Sequence, residues 1–488
     1  MSDIANLIPA CEVNFHPHSF ADEQVRLFQW KGQIYRGISS RYSPYFRRLF
    51  EENVIQSMME KGLLIESELT PLSVDGYEIV VRHRKVPFVS YPNEWCPAML
   101  KAGALAIVDL AVELARRGYT LGDAHPWNLL FDIQTEKPIF VDLGSIVPIT
   151  DFTWSLYDEF CRFCLYPLML MSYGEDHLAR LLMWEDNGVS ESDIRKFSGV
   201  SASFLSTRYR SFLNRTEARL ARRVPESCRF WLRRMAESTP AAHLESSESG
   251  ARAPQPPDNF RFKSHVRFLE KVRQEVELIR VPSEGLRGAG FGEDDVSPMP
   301  QQHWTATQCT LYRLLTELQP RTLLDVGSDT GWYAKLAALL GIQVVRWDSD
   351  LNRVNQLYSY ARDRKLPMLP LVMDFSKPTP ARGLADHWSI AATERFRSEL
   401  VLALGFLHRE VIKHRLNFPQ IIEGLADCST RWVVLEFVAG DDSELTQMGL
   451  VHKGWYTLDH LVSTARKYFN SVESVLTTKS RSLLLCEK

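Results

Sequence analysis

The sequence predicts a two-domain α/β chain, with an α+β domain in its first half and a doubly wound α/β domain in its second. Three observations predict it. Arg321–Gly331 (RTLLDVGSDTG) carries an apolar strand, Thr322–Val326, into a glycine-containing turn, and a helical stretch, Trp332–Leu340, follows. That is the strand–turn–helix opening of a doubly wound domain. Apolar strands then recur with helix-length segments between them: Ile342–Trp347, a run ending in Val372-Met373-Asp374-Phe375, Glu399–Leu404 and Trp432–Val438. Glu237–Asn259 (ESTPAAHLESSESGARAPQPPDN) is rich in Ser, Pro, Ala and Gly and nearly free of large apolar residues, which is linker composition. The expected units are therefore 1–236, a linker 237–259, and 260–488.

Composition narrows the class. The chain has 488 residues, 45% hydrophobic and 24% charged, as ordinary soluble globular proteins do, and its length suits two to four domains. A net charge of −3 gives no reason to expect a nucleic-acid partner. The opening MSDIANLIPACEVNFHPHSF lacks a charged-then-apolar export layout. The longest apolar run, near Leu165–Met171, falls far short of the ~20 residues of a membrane span. Eight scattered cysteines are no disulfide framework, so a cytoplasmic location is expected. Cys161 and Cys164 form a C-x-x-C without a second pair. They read as helix-packing residues rather than ligands or a redox pair.

Two further segments stand out. Arg208–Arg234 holds nine arginines interleaved with Phe212, Leu213, Leu220, Phe230 and Trp231. It reads as two amphipathic helices with solvated arginine faces; the alternative is an anion-binding surface for phosphate or acidic glycan. Val266, Leu269, Val272, Val276 and Ile279 lie at helical spacing, which predicts an amphipathic helix leading into the second domain.

In the second half the glycine turn has the order Asp325-x-Gly327-x-Asp329-x-Gly331. Asp348 ends the next strand, about the ~20-residue distance at which an acid reaches ribose hydroxyls in such folds. An acid before the first glycine, an acid ending strand two and Asp374-Phe375 ending strand three together resemble class I methyltransferases, over about Asn259 to Lys488. Tyr468–Leu476 and Ser482–Cys486 resemble the antiparallel pair that closes that family's Rossmann-like, seven-stranded sheet with its antiparallel last strand. Asp325–Ala338 (DVGSDTGWYAKLAA), Pro370–Pro380 (PLVMDFSKPTP) and Arg431–Asp442 (RWVVLEFVAGDD) resemble a bacterial family of kinase-like/methyltransferase fusions that includes proteins linked to nodulation host specificity.

The methyltransferase resemblance implies S-adenosylmethionine as cofactor. Gly327 would let the main chain approach it without a Cβ. Asp348 would accept from the two ribose hydroxyls and Asp374 from the adenine amine, with Phe375 beside the ring. Asp329, where the family usually has glycine, or carbonyls near Gly327 would hold the ammonium. The competing reading of Asp325, Gly327, Gly331, Asp348 and Asp374 is a cofactor-free Rossmann domain. Fourth-strand ends commonly supply a base, and here the strand runs into Leu404-Gly405-Phe406-Leu407-His408. His408 is the candidate base by its ordinary pKa, with a packing or capping histidine as the alternative. Tyr333, Glu436, Asp441 and Asp442 are further candidates at the sheet's mouth, and no metal is expected there.

In the first half, Tyr119–Asp132 reads YTLGDAHPWNLLFD and Ile139–Ser145 reads IFVDLGS. Asp123, Asn128 and the Asp142 of Asp-Leu-Gly resemble the catalytic loop and metal-binding motif of protein kinases and small-molecule (aminoglycoside-phosphotransferase-like) kinases. The resemblance implies a reduced N-lobe, 1–95, and a C-lobe, 96–236. It makes Asp123 the acceptor of a substrate hydroxyl proton and gives Asn128 and Asp142 Mg²⁺ on the phosphates of Mg-ATP, if the site is active. The preceding residues lack a Gly-rich phosphate loop. Gln33–Ser39 puts Arg36 where a lysine is expected, with Glu51 or Glu52 as its partner. An active kinase and a silent binding domain both remain open.

Taken together, the expectation is a methyltransferase for a small-molecule or glycan acceptor, whose kinase-like domain binds or positions acceptor or nucleotide. The alternatives are a bifunctional kinase–methyltransferase and a nucleotide-sensing scaffold.

Overall fold

The computed structural model describes residues 7–16, 19, 25–135, 137–150, 154–185, 187–198, 259–281, 296–327, 330–439, 454–478 and 480–488. The arginine-rich segment, nearly all of the expected linker, Asp329, Asp441 and Asp442 lie outside the described residues.

Besides a short parallel pair, Leu7–Ile8 with Ser73–Val74, the first half contains β1 (Asn14–Phe15), β2 (Val25–Trp30), β3 (Gln33–Ile38), β4 (Ser67–Leu69) and β5 (Ile79–His83). They form an antiparallel sheet in the order β1-β2-β3-β5-β4. The helical stretch Tyr45–Lys61 forms two helices, α1 (Ser43–Glu51) and α2 (Val54–Glu60). Asn53, at φ 55°, takes the left-handed conformation between them, which asparagine tolerates better than most residues. Helix α3 (Pro97–Ala115) follows, apolar nearly all round, with twelve buried positions; that pattern belongs to a helix enclosed on every side. Beyond it β6 (Tyr119–Leu121), β7 (Leu129–Asp132), β8 (Lys137–Phe140) and β9 (Ile146–Pro148) pair as β6–β9 and β7–β8. They carry Asp123, Asn128 and Asp142 on the connections. Then come α4 (Tyr157–Phe160), a π-helical stretch over Cys161–Leu165, α5 (Tyr166–Ser172) and α6 (Asp176–Leu182). Cys161 and Cys164 are buried within this helical run. A sheet lobe followed by a helical lobe is the kinase-like arrangement.

Helix α7 (Asn259–Leu278) buries Leu269, Val272 and Val276 completely and packs along α3. The second half then builds α8 (Ala306–Leu318), β10 (Thr322–Asp325), α9 (Trp332–Leu339), β11 (Gln343–Asp348), α10 (Leu351–Arg364), β12 (Met368–Val372), β13 (Ser398–Ala403), α11 (Leu407–Lys413), α12 (Phe418–Cys428), β14 (Ser429–Val438), α13 (Leu458–Ala465), β15 (Ser471–Thr477) and β16 (Arg481–Glu487). One sheet holds its seven strands in the order β12-β11-β10-β13-β14-β16-β15. β10 to β14 are parallel, and β16 runs antiparallel to both of its neighbours. This is the Rossmann-like sheet with an antiparallel last strand that the methyltransferase resemblance implies. Its central strands are buried residue after residue, as parallel strands covered by helices on both faces must be.

The two halves share one apolar core, which runs from Val25 through α3 to Cys486. Polar pins fix the contact. Asn355 Oδ1, on α10, accepts the amide of Ala98 at 3.1 Å, so the second domain caps α3, whose own N-cap, Cys96, makes no side-chain cap. Glu94 and Arg395 form a two-bonded ion pair with both side chains buried. Arg180 on α6 donates to Asn93 O at 2.7 Å and to Val372 O, the last residue of β12, at 2.8 Å. Among the described residues no helix is long and apolar enough to cross a membrane.

Candidate functional site

Strand order decides where the candidate residues meet. The first-built strand, β10, has β11 on one side and β13 on the other, so the chain changes direction at β10. Parallel sheets bind ligands in the crevice beyond the carboxyl ends at that point. Asp325 and Asp348 end β10 and β11, Gly327 lies two residues past β10, and Asp374 lies two residues past β12. These are three adjacent strand ends on one edge of the sheet.

The side chains there are held by the protein in detail. Asp325 is buried and both its oxygens are engaged: Oδ1 accepts from Gly327 N at 2.9 Å, and Oδ2 pairs with Arg346. Arg346, on β11, is fully buried. Its cost is offset because it bridges the two acids, reaching Asp348 Oδ2 at 3.3 Å. Arg353, at the start of α10, grips Asp348 with Nε on Oδ2 and Nη2 on Oδ1, each 2.9 Å. The Asp350 amide adds a 2.8 Å bond to Oδ1. Gly327 is required by the protein itself: a Cβ there would sit 2.8 Å from Leu404 O and 2.9 Å from Asp325 Oδ1. Gly331 holds φ 82° at the start of α9, and a Cβ would strike Leu357.

At the third strand end, Asp374 Oδ1 accepts from Ser376 N at 2.9 Å and Ser376 Oγ at 2.8 Å. Phe375 is half-buried, edge-on to Phe406 at 4.9 Å and packed over Gly424. Glu410 on α11 converges on Asp374, as does His414 just beyond that helix. Burial and the neighbouring Asp374 push the Glu410 carboxyl up to about 7.

His408 lies in the first turn of α11 and is 3% exposed, with both ring nitrogens buried. A base must touch the proton it takes, and this burial leaves neither nitrogen open to an acceptor, so the packing alternative is the one the geometry favours. Glu436 is also buried; it accepts from Gly405 N at 2.7 Å and Arg481 at 3.2 Å. It thereby fixes the turn after β13. Tyr333 is half-buried on α9, edge-on to Trp332.

In the first half, Arg36 forms an ion pair with Asp142 Oδ1 at 2.8 Å, and both side chains are mostly buried. Asp142 also caps the Leu143–Ser145 turn by accepting from Gly144 N. The expected partners of Arg36 are turned elsewhere: Glu52 accepts from Tyr119 Oη at 2.9 Å, and Glu51 is exposed. Asp123 meets His125 and Glu159, their ligand atoms lying within 4.8 Å of one another. Burial raises the Asp123 carboxyl, His125 opposes this, and Asp142 and Glu159 add to it.

The residues that reading missed had local signals in two cases. Arg353 follows Asp348 by five residues, and His125 stands two residues from Asp123. Arg346, Glu159, Glu410 and His414 enter only through the tertiary fold.

No known protein-family model matches the chain. Over 444 residues it is 24% identical to nodulation protein NoeA of Rhizobium meliloti (strain 1021), covering 88% of this chain and 86% of that protein. Among solved structures it overlaps WbdD, titled a bifunctional kinase-methyltransferase, at 17% identity and a TM-score of 0.30, over 40% of this chain and 42% of that one. The overlap with magnesium protoporphyrin IX methyltransferase of Synechocystis PCC 6803 with bound SAM is 12% identical with a TM-score of 0.26, over 37% and 79% of the two chains. The chain thus spans about two fifths of the WbdD chain it matches. It is similar over most of its length to NoeA, and it joins a kinase-like domain to a Rossmann-like methyltransferase-type sheet.

Proposed function

We propose that the chain is an S-adenosylmethionine-dependent methyltransferase for a small-molecule or glycan acceptor, with the kinase-like domain holding or positioning that acceptor. The observation that carries the reading is the strand order. It gathers Gly327, Asp348 and Asp374 at three neighbouring strand ends beside the reversal in sheet direction.

The donor set fits adenosine on one condition. Two carboxylates on adjacent strands suit a ribose diol and an adenine amine, and Phe375 suits the ring. Asp348, however, has its acceptor positions taken by Arg346, Arg353 and the Asp350 amide. The diol must therefore take the place of Arg353, whose side chain is 31% exposed. When bound, the cofactor supplies an electrophilic methyl group. The chain's part is to orient and to exclude water, since in-line transfer gains most from alignment. No side chain is assigned as base, given the burial of His408.

A second reading, a bifunctional kinase–methyltransferase, is favoured by the convergence of Asp123, His125 and Glu159. The Arg36–Asp142 pair speaks against it, because it neutralises the carboxylate that would hold Mg²⁺.

Calorimetry on the full chain separates these readings. The proposal expects binding of S-adenosylmethionine without Mg-ATP turnover. Binding of both, with turnover lost in Asp123→Ala, supports the second reading. Dissociation constants weaker than about millimolar for both ligands, a few kcal/mol of binding, leave only a scaffold.

A further inference from the structure

We infer that Asp374, Glu410 and His414 form a binding site for a divalent transition-metal cation such as Zn²⁺ or Mn²⁺. The hydrogen bonds fix the protons. Ser376 Oγ donates its one hydrogen to Asp374 Oδ1 at 2.8 Å. The 3.0 Å contact between the same Oγ and His414 Nδ1 must then be donated by the ring, so Nδ1 carries a proton and Nε2 is the ring nitrogen left to offer a lone pair to a metal. That Nε2 lies 3.6 Å from Asp374 Oδ2. Ligand atoms of Asp374, Glu410 and His414 all lie within 4.8 Å of one another. Two carboxylates and one imidazole nitrogen thus converge on one point.

The second observation is independent. Glu410 is 7% exposed, and its Oε2 is buried without a hydrogen-bond partner among the described residues. Its charged neighbour on the helix, Lys413, is exposed, and no ion pair between the two is seen among the described residues. A buried carboxylate beside a second carboxylate and an imidazole nitrogen is destabilising unless a metal cation or a proton joins them. One nitrogen and two carboxylate oxygens make a mixed set that suits Zn²⁺ or Mn²⁺. The Ser376 hydroxyl supplies the outer contact that orients a metal-bound histidine. The cation would tie α11 to the end of β12. It shares Asp374 with the cofactor reading but needs no methyl donor, so the two succeed or fail separately.

The test uses the full chain, freed of metal by a chelator and titrated with ZnCl2 and with MnCl2 in a calorimeter, with Co²⁺ absorption as a report on the ligands. One ion should bind per chain, and the Co²⁺ bands should change in His414→Ala. Affinity should fall about a hundredfold in Glu410→Gln, with His303→Ala, an exposed histidine outside the site, as a control that leaves it unchanged. Thermal melting of each variant shows whether it folds. An intact protein that binds neither ion, or a folded Glu410→Gln chain that binds as well as the unaltered one, would overturn the inference. The three acceptors would then be bridged by a proton alone.

Discussion

Arg353 and Asp348 are joined by two parallel hydrogen bonds of 2.9 Å across the start of α10. A carboxylate has about four acceptor positions, and Arg346 and the Asp350 amide use the others. Any ligand that reads Asp348 therefore competes with Arg353.

The first prediction follows from that competition. Arg353→Ala removes the competitor, and a half-exposed ion pair is worth about 1 kcal/mol at most. S-adenosylmethionine should bind about two- to fivefold tighter, measured by calorimetry at low salt. Weaker binding in this variant would mean that Arg353 holds the cofactor instead of blocking it.

A second prediction concerns the join between the halves. Glu94 is fully buried and Arg395 nearly so, and Arg395 also donates to Val89 O and Ile390 O and lies 3.9 Å over the Tyr91 ring. Removing one partner strands the other charge. Glu94→Ala should cost about 3–5 kcal/mol in chemical denaturation, while Glu94→Leu combined with Arg395→Met should recover most of the loss. Independent melting of the two halves in Glu94→Ala would show that this pair is what makes them one cooperative unit.

The third is a pH effect. Burial holds the Glu275 carboxyl at about 7, opposed by its hydrogen bond to Tyr157 and by Lys271. The folded protein therefore binds this proton more tightly than the unfolded chain, whose glutamates titrate near 4.5. Its contribution is fully present below about pH 4.5 and is lost as pH rises through about 7. The melting temperature of Glu275→Gln relative to the unaltered protein should rise steadily between these limits. Parallel curves would contradict the assignment. Burial also depresses His265, to about 4; its effect has the opposite sign and cancels in this comparison.

The sequence carried much of this fold on its face. Apolar runs such as Leu400–Leu404 and Trp432–Leu435 mark parallel strands because both faces of the sheet are covered. Asp348 closes β11 and Asp374 follows β12 by two residues, so both acids stand at strand ends in the sequence pattern. The helical stretch Tyr45–Lys61 is divided at Asn53, whose left-handed conformation separates α1 from α2. What stayed hidden was long-range. Glu94 meets Arg395 across 301 residues and Asn355 meets Ala98 across 257, and no local spacing reports such contacts. His408 matched by position alone, and position could not reveal that its ring nitrogens are buried. Glu410, two residues further along α11, carried the stronger signal only once its neighbours were known.

The central claim is that Asp348 takes the ribose of a methyl donor at the end of β11. Titrating S-adenosylmethionine into the full chain and into Asp348→Ala tests it most directly. Hydrogen bonds to a charged acceptor contribute ~1.5–3 kcal/mol each, so affinity should fall about tenfold or more in the variant. An unchanged affinity in a folded Asp348→Ala protein would contradict the account.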